Sequence, residues 1–465
     1  MNDPKDIITL FGIPADKIKG YESTLDSKTG NSTLFLELID IKEQCPYCHS
    51  NNVIIKGYYL KHLNNSIIKK RSMLVEIRMR RFKCKNCNKT FKQSLNLSGR
   101  KKQISNNVLY LIKEELTLNQ TFQSIAKNYD VSVNTVINIF DSMPDQPKEH
   151  LSEVICIDEF HFTNNKYGEK YPCVITNPYS GRILDIIRSR RKDYLCEYFS
   201  SKNTIERNKV KFYITDMNET YRMIKNIYFK DAVHIIDRFH IAKLFTEAIQ
   251  TVRIKIMKEE NCSSNEYNFL KKNWKLFLMN RNKLSSLKRV NSKNGIVHHY
   301  IDDVDEVLKK YLDLNLVYQA KNDFFKKGHN MSYFDAKTHL DFFINQFSNS
   351  PSIELNKLGN TLKNWYEEII NAFVSYNGKG NLSNAIAEAT NNVIQTYNDM
   401  GYGYRNFERF RKRILYINRQ NKRSKWLNSL RSLSFKTPRN FKAFKWAFFS
   451  QNPTKPQKIS KSRVL

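Results

Sequence analysis

The sequence predicts a multidomain chain: a small β-rich metal-binding module, a helical hairpin, then an α/β core broken open by a long all-α insertion. Three observations predict it. Two C-x-x-C pairs, Cys45/Cys48 and Cys84/Cys87, flank a stretch that alternates like strand. Short apolar runs, separated by turn signals or helical segments, fill 153–240. A Lys- and Asn-rich helical pattern then runs almost unbroken over 238–370. At 465 residues the chain is too long for one ordinary core. The expected divisions are 1–100 for the metal module, 101–150 for the hairpin and linker, 151–240 and 371–420 for the two parts of the core, 241–370 for the insertion, and 421–465 for a basic tail.

Charge narrows the function. There are 77 Lys+Arg against 45 Asp+Glu, a net +32. Such an excess repels itself in a compact state, and a nucleic-acid backbone is the partner that most often neutralises it; solubility or an anionic membrane surface is the bland alternative. Met1 to Ile13 start acidic and lack the apolar run of a secretory signal or anchor. No run of about 18 apolar residues predicts a transmembrane helix. Outside the two pairs the cysteines (Cys156, Cys173, Cys196, Cys262) are scattered, which suits a reducing compartment with one metal site better than a disulfide framework. The expectation is a cytoplasmic, nucleoid-associated protein with no membrane partner.

At the N-terminal end, Ile7 to Phe11 allow a short helix, and Ser32 to Ile39 form an apolar run. Met73 to Phe82 alternate as a strand that delivers the chain to Cys84. Each C-x-x-C puts two thiolates on a tight knuckle. Two knuckles supply four soft ligands at tetrahedral geometry, which suits zinc in a ribbon-like module, with a β-hairpin filling the residues between. Four unrelated core cysteines or a redox pair are the alternatives; His49 and His62 are surplus to a four-thiolate site. From Lys56 to Lys102 there are 15 Lys/Arg and one acid, Glu76. That bias favours a nucleic-acid reader held folded by structural zinc, with Arg80 and Arg81 among its DNA contacts.

Thr121 to Tyr129 read as a first helix, Asp130 to Ser132 as a turn, and Val133 to Phe140 as a second helix. Ile125, Ala126, Val131, Val136 and Ile137 fit its packed faces. Read as a helix-turn-helix, the pair turns Ser132, Asn134, Thr135 and Asn138 to a major groove; a plain helical hairpin is the other reading. Pro144 and Pro147 mark a linker.

Beyond it come strands at Val154–Ile157, Tyr171–Thr176 and Ile183–Arg188, with the turn Asn177–Gly181 between the last two. A helix at 193–201 precedes a strand Val210–Thr215 ending at Asp216. A helix Asn218–Phe229 precedes a strand Ala232–Ile236 ending at Asp237. Three antiparallel-compatible strands, helix, strand, helix, strand is the order of a ribonuclease-H-like domain. Phosphoryl transfer on DNA needs charge neutralisation on the entering and leaving oxygens, which carboxylate-held Mg²⁺ or Mn²⁺ provides. Asp158, on the first strand, Asp216, and Glu388, on a helix Ser383–Tyr397, are the candidate ligands. Singly, a strand-end Asp is a turn former or cap and a helix Glu a solvated acid; Asp158 is sharper, because an acid inside a buried strand is costly without a counter-charge. Asp237 rivals Asp216, with a capping or supporting role for it and His240 preferred. Glu159 falls on the other face by alternation. From Arg405 onward there are 18 Lys/Arg and one acid, Glu408, so Arg409, Arg411, Lys412 and Arg413 are expected to hold DNA.

These residues make the chain resemble the ISL3 family of insertion-sequence transposases, from Cys45 to about Ile417. The resemblance rests on the two C-x-x-C pairs, Ile157-Asp158-Glu159, Asp237-Arg238-Phe239-His240, and Asn384-x-x-x-Glu388-x-x-Asn391-Asn392 followed by Gly401 to Phe407. It implies a DDE transposase that acts on double-stranded DNA at terminal inverted repeats and at a target, as a homodimer or larger assembly. It further implies Asp158, Asp216 and Glu388 as the acidic triad, Asp237-x-x-His240 as the D-x-x-H signature, and 241–370 as the all-α insertion before the Glu. The sequence departs where Ala385-Ile386-Ala387 and Ala389-Thr390 flank Glu388, since the family often has glycine there. A non-catalytic transposase-derived regulator and a junction-type nuclease are the rivals; intact acids argue against the first, and the long insertion and end reader against the second.

Overall fold

The computed structural model describes residues 14–40, 43–95, 97–98, 103–118, 120–162, 169–260, 264–290, 297–326, 332–373, 385–400 and 406–420. The expected helix at Ile7–Phe11 and the tail 421–465 lie outside them. The chain divides into two units: residues 1–148, 161–170 and 394–420 form one, and 149–160 with 171–393 lie in the other. The change of unit at Ile394 falls inside the 371–420 segment. Among the described residues no helix is long and apolar enough to cross a membrane.

In the first unit, β1 (Ile18–Leu25), β2 (Ser32–Leu38), β3 (Val53–Asn64), β4 (Met73–Cys84) and β5 (Thr90–Lys92) form one sheet, ordered β1-β2-β4-β3 with β5 on β4. The hairpin expected between the cysteine pairs is an antiparallel pairing of two 12-residue strands, β3 and β4. Its alternation is the cause: Val75, Ile77 and Met79 turn inward to Leu34, Leu36, Leu38 and Leu63. Next along the chain are helices α1 (Asn106–Glu115), α2 (Phe122–Asn128) and α3 (Val133–Ser142). Ser105, Thr121 and Ser132 cap them, each accepting a backbone N–H from the third residue on. Asp130 makes the α2–α3 turn at φ 50°, the left-handed region. It is pinned there by Asn64, whose amide donates to its carbonyl at 2.7 Å, and by Ser72, which donates to its carboxylate at 2.6 Å.

In the second unit the core sheet runs β10-β9-β6-β7-β8, made of β6 (Val154–Glu159), β7 (Cys173–Asn177), β8 (Arg182–Ile187), β9 (Phe212–Thr215) and β10 (Val233–Ile236). β6, β9 and β10 are parallel; β6-β7-β8 is an antiparallel meander. Asn177 shapes the β7–β8 turn by accepting from the N–H groups of Tyr179 and Ser180, and Gly181 closes it at φ 66°. Helices α4 (Lys192–Ser200) and α6 (Glu219–Tyr228) cover one face, where Ile155, Ile157, Tyr213, Leu195, Phe199 and Ile224 share a core. The short α5 (Thr204–Asn208) between them has no counterpart in the sequence pattern. The other face meets α7 (Arg238–Glu259) and the insertion: α8 (Asn265–Lys272), α9 (Arg281–Ser285), α10 (Tyr300–Lys310), α11 (Leu312–Lys326), α12 (Tyr333–Ser348), α13 (Ile353–Asn364) and α14 (Tyr366–Asn371). The insertion also holds a hairpin, β11 (Lys288–Val290) with β12 (Val297–His299), that its helical pattern does not announce. Two helices close the described chain, α15 (Ala385–Met400) and α16 (Phe407–Gln420).

Candidate functional site

Parallel register lines up the acids. Val154, Ile155 and Cys156 of β6 pair with Phe212, Tyr213 and Ile214 of β9, and Ile236 of β10 pairs with Thr215. Continued by a residue or two, that register sets Asp158, Asp216 and Asp237 level on three neighbouring strand ends. Asp158 comes after four buried residues of β6. Its Oδ1 accepts the N–H of Glu159 at 2.7 Å, and its Oδ2 accepts the side-chain amide of Asn391 at 2.7 Å. Asn391 also donates to the Glu159 carbonyl at 3.2 Å. Burial, and then the facing Asp216 carboxylate, push the Asp158 carboxyl up to about 7.

His240, in the first turn of α7, puts Nδ1 3.0 Å from Asp216 Oδ1 and 3.5 Å from Asp237 Oδ2. Burial opposes its charge, but the bonds to Asp216 and Asp237 win, and its pKa rises to about 10. The cluster is therefore three carboxylates around one imidazolium, an excess of negative charge that a divalent cation fits. Asp237 occupies the N-cap position of α7, yet its side chain makes no capping bond and faces His240 instead. Among the described residues the acids and His240 do not close into a group of three with all ligand atoms within 4.8 Å. Glu388 lies on α15, one turn before Asn391, with its side chain outside what is described. The sequence marks Asn391 only as a member of the motif around Glu388; its contact with Asp158 ties the Glu388 helix to β6.

The four cysteines do close. Cys45 and Cys87 sulfurs are 3.6 Å apart, as are those of Cys48 and Cys84, and all four lie within 4.8 Å of one another. A tetrahedral zinc with Zn–S of about 2.3 Å sets its sulfurs about 3.8 Å apart. Backbone N–H groups of Cys87 and Asn86 point at Cys84 and lower its thiol to about 6, favouring the thiolate a metal needs. Phe82 and Phe91 stack beneath, with ring centroids 5.5 Å apart. This cluster can hold a structural metal such as zinc.

On α3 the expected reading face is open: Asn134 and Asn138 are exposed, Thr135 is half-buried, and Ser132 is exposed but bonded to Thr135. Ile125, Ala126 and Val136 are buried as expected, while Val131 and Ile137 are only half-buried. Two expected DNA contacts are corrected. Arg80 is buried, its guanidinium donating to the carbonyls of Leu38 and Ile39 and pairing with Asp40. Arg413 is 1% exposed, donating to the carbonyls of Leu118 and Gln120 beneath the rings of Phe122 and Phe140. Both fasten the fold rather than meet a ligand. Arg409 is likewise forked onto Asp141, and Lys412 is bound to the carbonyl of Met143. Arg81 stays exposed; Arg411 is half-buried, 3.9 Å from Glu408.

The family model of the ISL3-type DDE transposases, described as a transposase, matches residues 155–414, 260 of the 465 residues. The chain belongs to this transposase family. No curated protein matches it.

Proposed function

We propose that the protein is a DDE transposase that binds the terminal inverted repeats of an insertion sequence and catalyses metal-dependent strand cleavage and strand transfer, on a ribonuclease-H-like core. The observation that carries this reading is the alignment of Asp158 and Asp216 on neighbouring strand ends, with Asn391 tying the helix of Glu388 to Asp158. Asp158, Asp216 and Glu388 hold Mg²⁺ or Mn²⁺, which when bound neutralises charge on the scissile phosphate and activates the attacking water or 3′-OH. His240, 3.0 Å away, fixes the direction of the Asp216 carboxylate. Asn391 fixes that of Asp158, so both carboxylates meet the cation already oriented. Zinc at the four cysteines keeps the N-terminal sheet folded. Ser132, Asn134, Thr135 and Asn138 read base edges, and Arg81 and Arg411 meet phosphates. The protein works as a homodimer or larger assembly on two element ends.

The deciding experiment is cleavage of labelled DNA carrying the element's own ends, with and without Mg²⁺, beside Asp158→Asn and Glu388→Gln. Nicking at the repeat boundary that needs metal and is lost in both variants supports the reading. Specific binding without cleavage under any metal leaves a non-catalytic DNA-binding regulator.

A further inference from the structure

β6 uses both of its faces. Opposite Asp158, Glu159 is a mostly buried carboxylate with both oxygens engaged. Oε1 accepts the hydroxyl of Tyr221 at 2.8 Å, and Oε2 pairs with Arg190 Nη1 at 2.7 Å. Tyr221 is itself buried and touches the Cys173 sulfur at 3.3 Å. Arg190 is held in two further ways: its guanidinium lies over the ring of Tyr171 at 4.8 Å, and its backbone N–H donates to the Tyr171 carbonyl at 3.0 Å. A surface arginine fixed by this many partners sets the course of the chain around it, and Arg191 and Lys192 come directly after it at the start of α4.

Arg190, Arg191, Lys192, Asp193 and Cys196, just before and on α4, and Asn218 and Thr220, at the start of α6, line an open cleft of about 790 Å³. Asp193, 3.6 Å from Arg191, is the one carboxylate in that lining. The side chains of Arg191 and Lys192 are exposed. Three cations against one acid, in an open cleft, suit a chain of phosphates better than a small apolar ligand. Position adds to this. Asn218 lies two residues beyond Asp216, and its N–H donates to the Asp216 carbonyl at 2.9 Å. The wall of the cleft thus begins where the carboxylate site ends.

We propose that this cleft is a phosphate track for a DNA strand running away from the carboxylate site, with Arg191 and Lys192 as its phosphate contacts and Glu159 as the anchor that sets Arg190 and, through it, their course. The proposal rests on the transposase reading and adds a subsite to it. One strand then carries two tasks on consecutive residues: Asp158 faces the reacting phosphate, and Glu159 shapes the path of its neighbours.

The test uses the full-length, zinc-loaded protein and a short duplex, with and without the terminal repeat, across a KCl series by fluorescence anisotropy. Arg191→Ala/Lys192→Ala is compared with wild type, with thermal melting as the control for folding. The expected result is about a 5- to 30-fold loss of affinity on both duplexes, a salt slope shallower by about 1–2, and unchanged melting. Cys196 supplies a second readout that needs no substitution: it is half-buried in the lining, and bound DNA is expected to slow its alkylation by a maleimide, mapped by mass spectrometry. Unchanged affinity and slope, or Cys196 labelled equally fast in a complex that does form, overturns the track and leaves the transposase reading standing. A wild-type protein that binds neither duplex overturns that reading and the track with it.

Discussion

Four cysteines stand assembled at the end of a hairpin, every sulfur within 4.8 Å of the others, whereas Asp158, Asp216 and Asp237 share one edge of the core sheet without, among the described residues, closing into so tight a group. The difference lies in charge. Neutral thiols tolerate crowding, and backbone N–H groups ready one of them for ionisation. Carboxylates repel, so in the absence of a cation one carboxyl is driven toward its protonated form and another borrows a positive charge from His240. A site closed by four protein ligands is suited to holding a fold; one that still needs charge is suited to receiving a substrate along with its metal.

The largest effect that sharpens this contrast is zinc removal. Binding at a four-thiolate site amounts to about 10–16 kcal/mol in small domains, so a strong chelator, or Cys84→Ser, is expected to unfold the β1–β5 sheet while the β6–β10 core keeps its own melting transition, read by calorimetry. Loss of both transitions together breaks the separation. Next comes Asp158→Asn, expected to cut cleavage by about 1000-fold, since a mispositioned metal forfeits several kcal/mol; zinc content and repeat binding stay at wild-type values. Arg413→Ala ranks third, costing about 2–4 kcal/mol of N-terminal stability by denaturant melting, because the carbonyls of Leu118 and Gln120 lose a donor and the rings of Phe122 and Phe140 lose packing. Arg81→Ala, in contrast, is expected to leave stability within about 0.5 kcal/mol and weaken DNA binding. Smallest is Asn391→Ala, expected to slow cleavage about 10-fold through one lost charged hydrogen bond, with Asn391→Gln recovering part of it. An unaffected rate removes the tie between α15 and β6 from the mechanism.

Spacing made the cysteine cluster legible in the sequence, and the order of apolar runs made the core sheet legible, because both are local signals. Direction was not. Arg80 and Arg413 look like basic contacts because sequence reports charge without saying where it points. β4 alternates as expected, but midway along it both faces are covered: Met79 turns to one core, Phe82 and Cys84 to the other, and Arg80, on the same face as these two, is shut in with the end of β2, while Arg81 stays exposed. Arg413 answers to carbonyls 293 and 295 residues earlier, and Asn391 to an acid 233 residues earlier, separations that no helical or strand period encodes.

The burial of Arg413 also sets an order of events during synthesis. The helices α1 to α3 leave the ribosome long before α16 exists, yet Tyr416 belongs to their core and Arg413 satisfies the carbonyls between α1 and α2. At 5–20 residues per second, translation takes about 15–60 s to cover the interval. A chain ended early by a premature stop therefore carries an unfinished hairpin, its core short of Tyr416 and the carbonyls of Leu118 and Gln120 short of a donor.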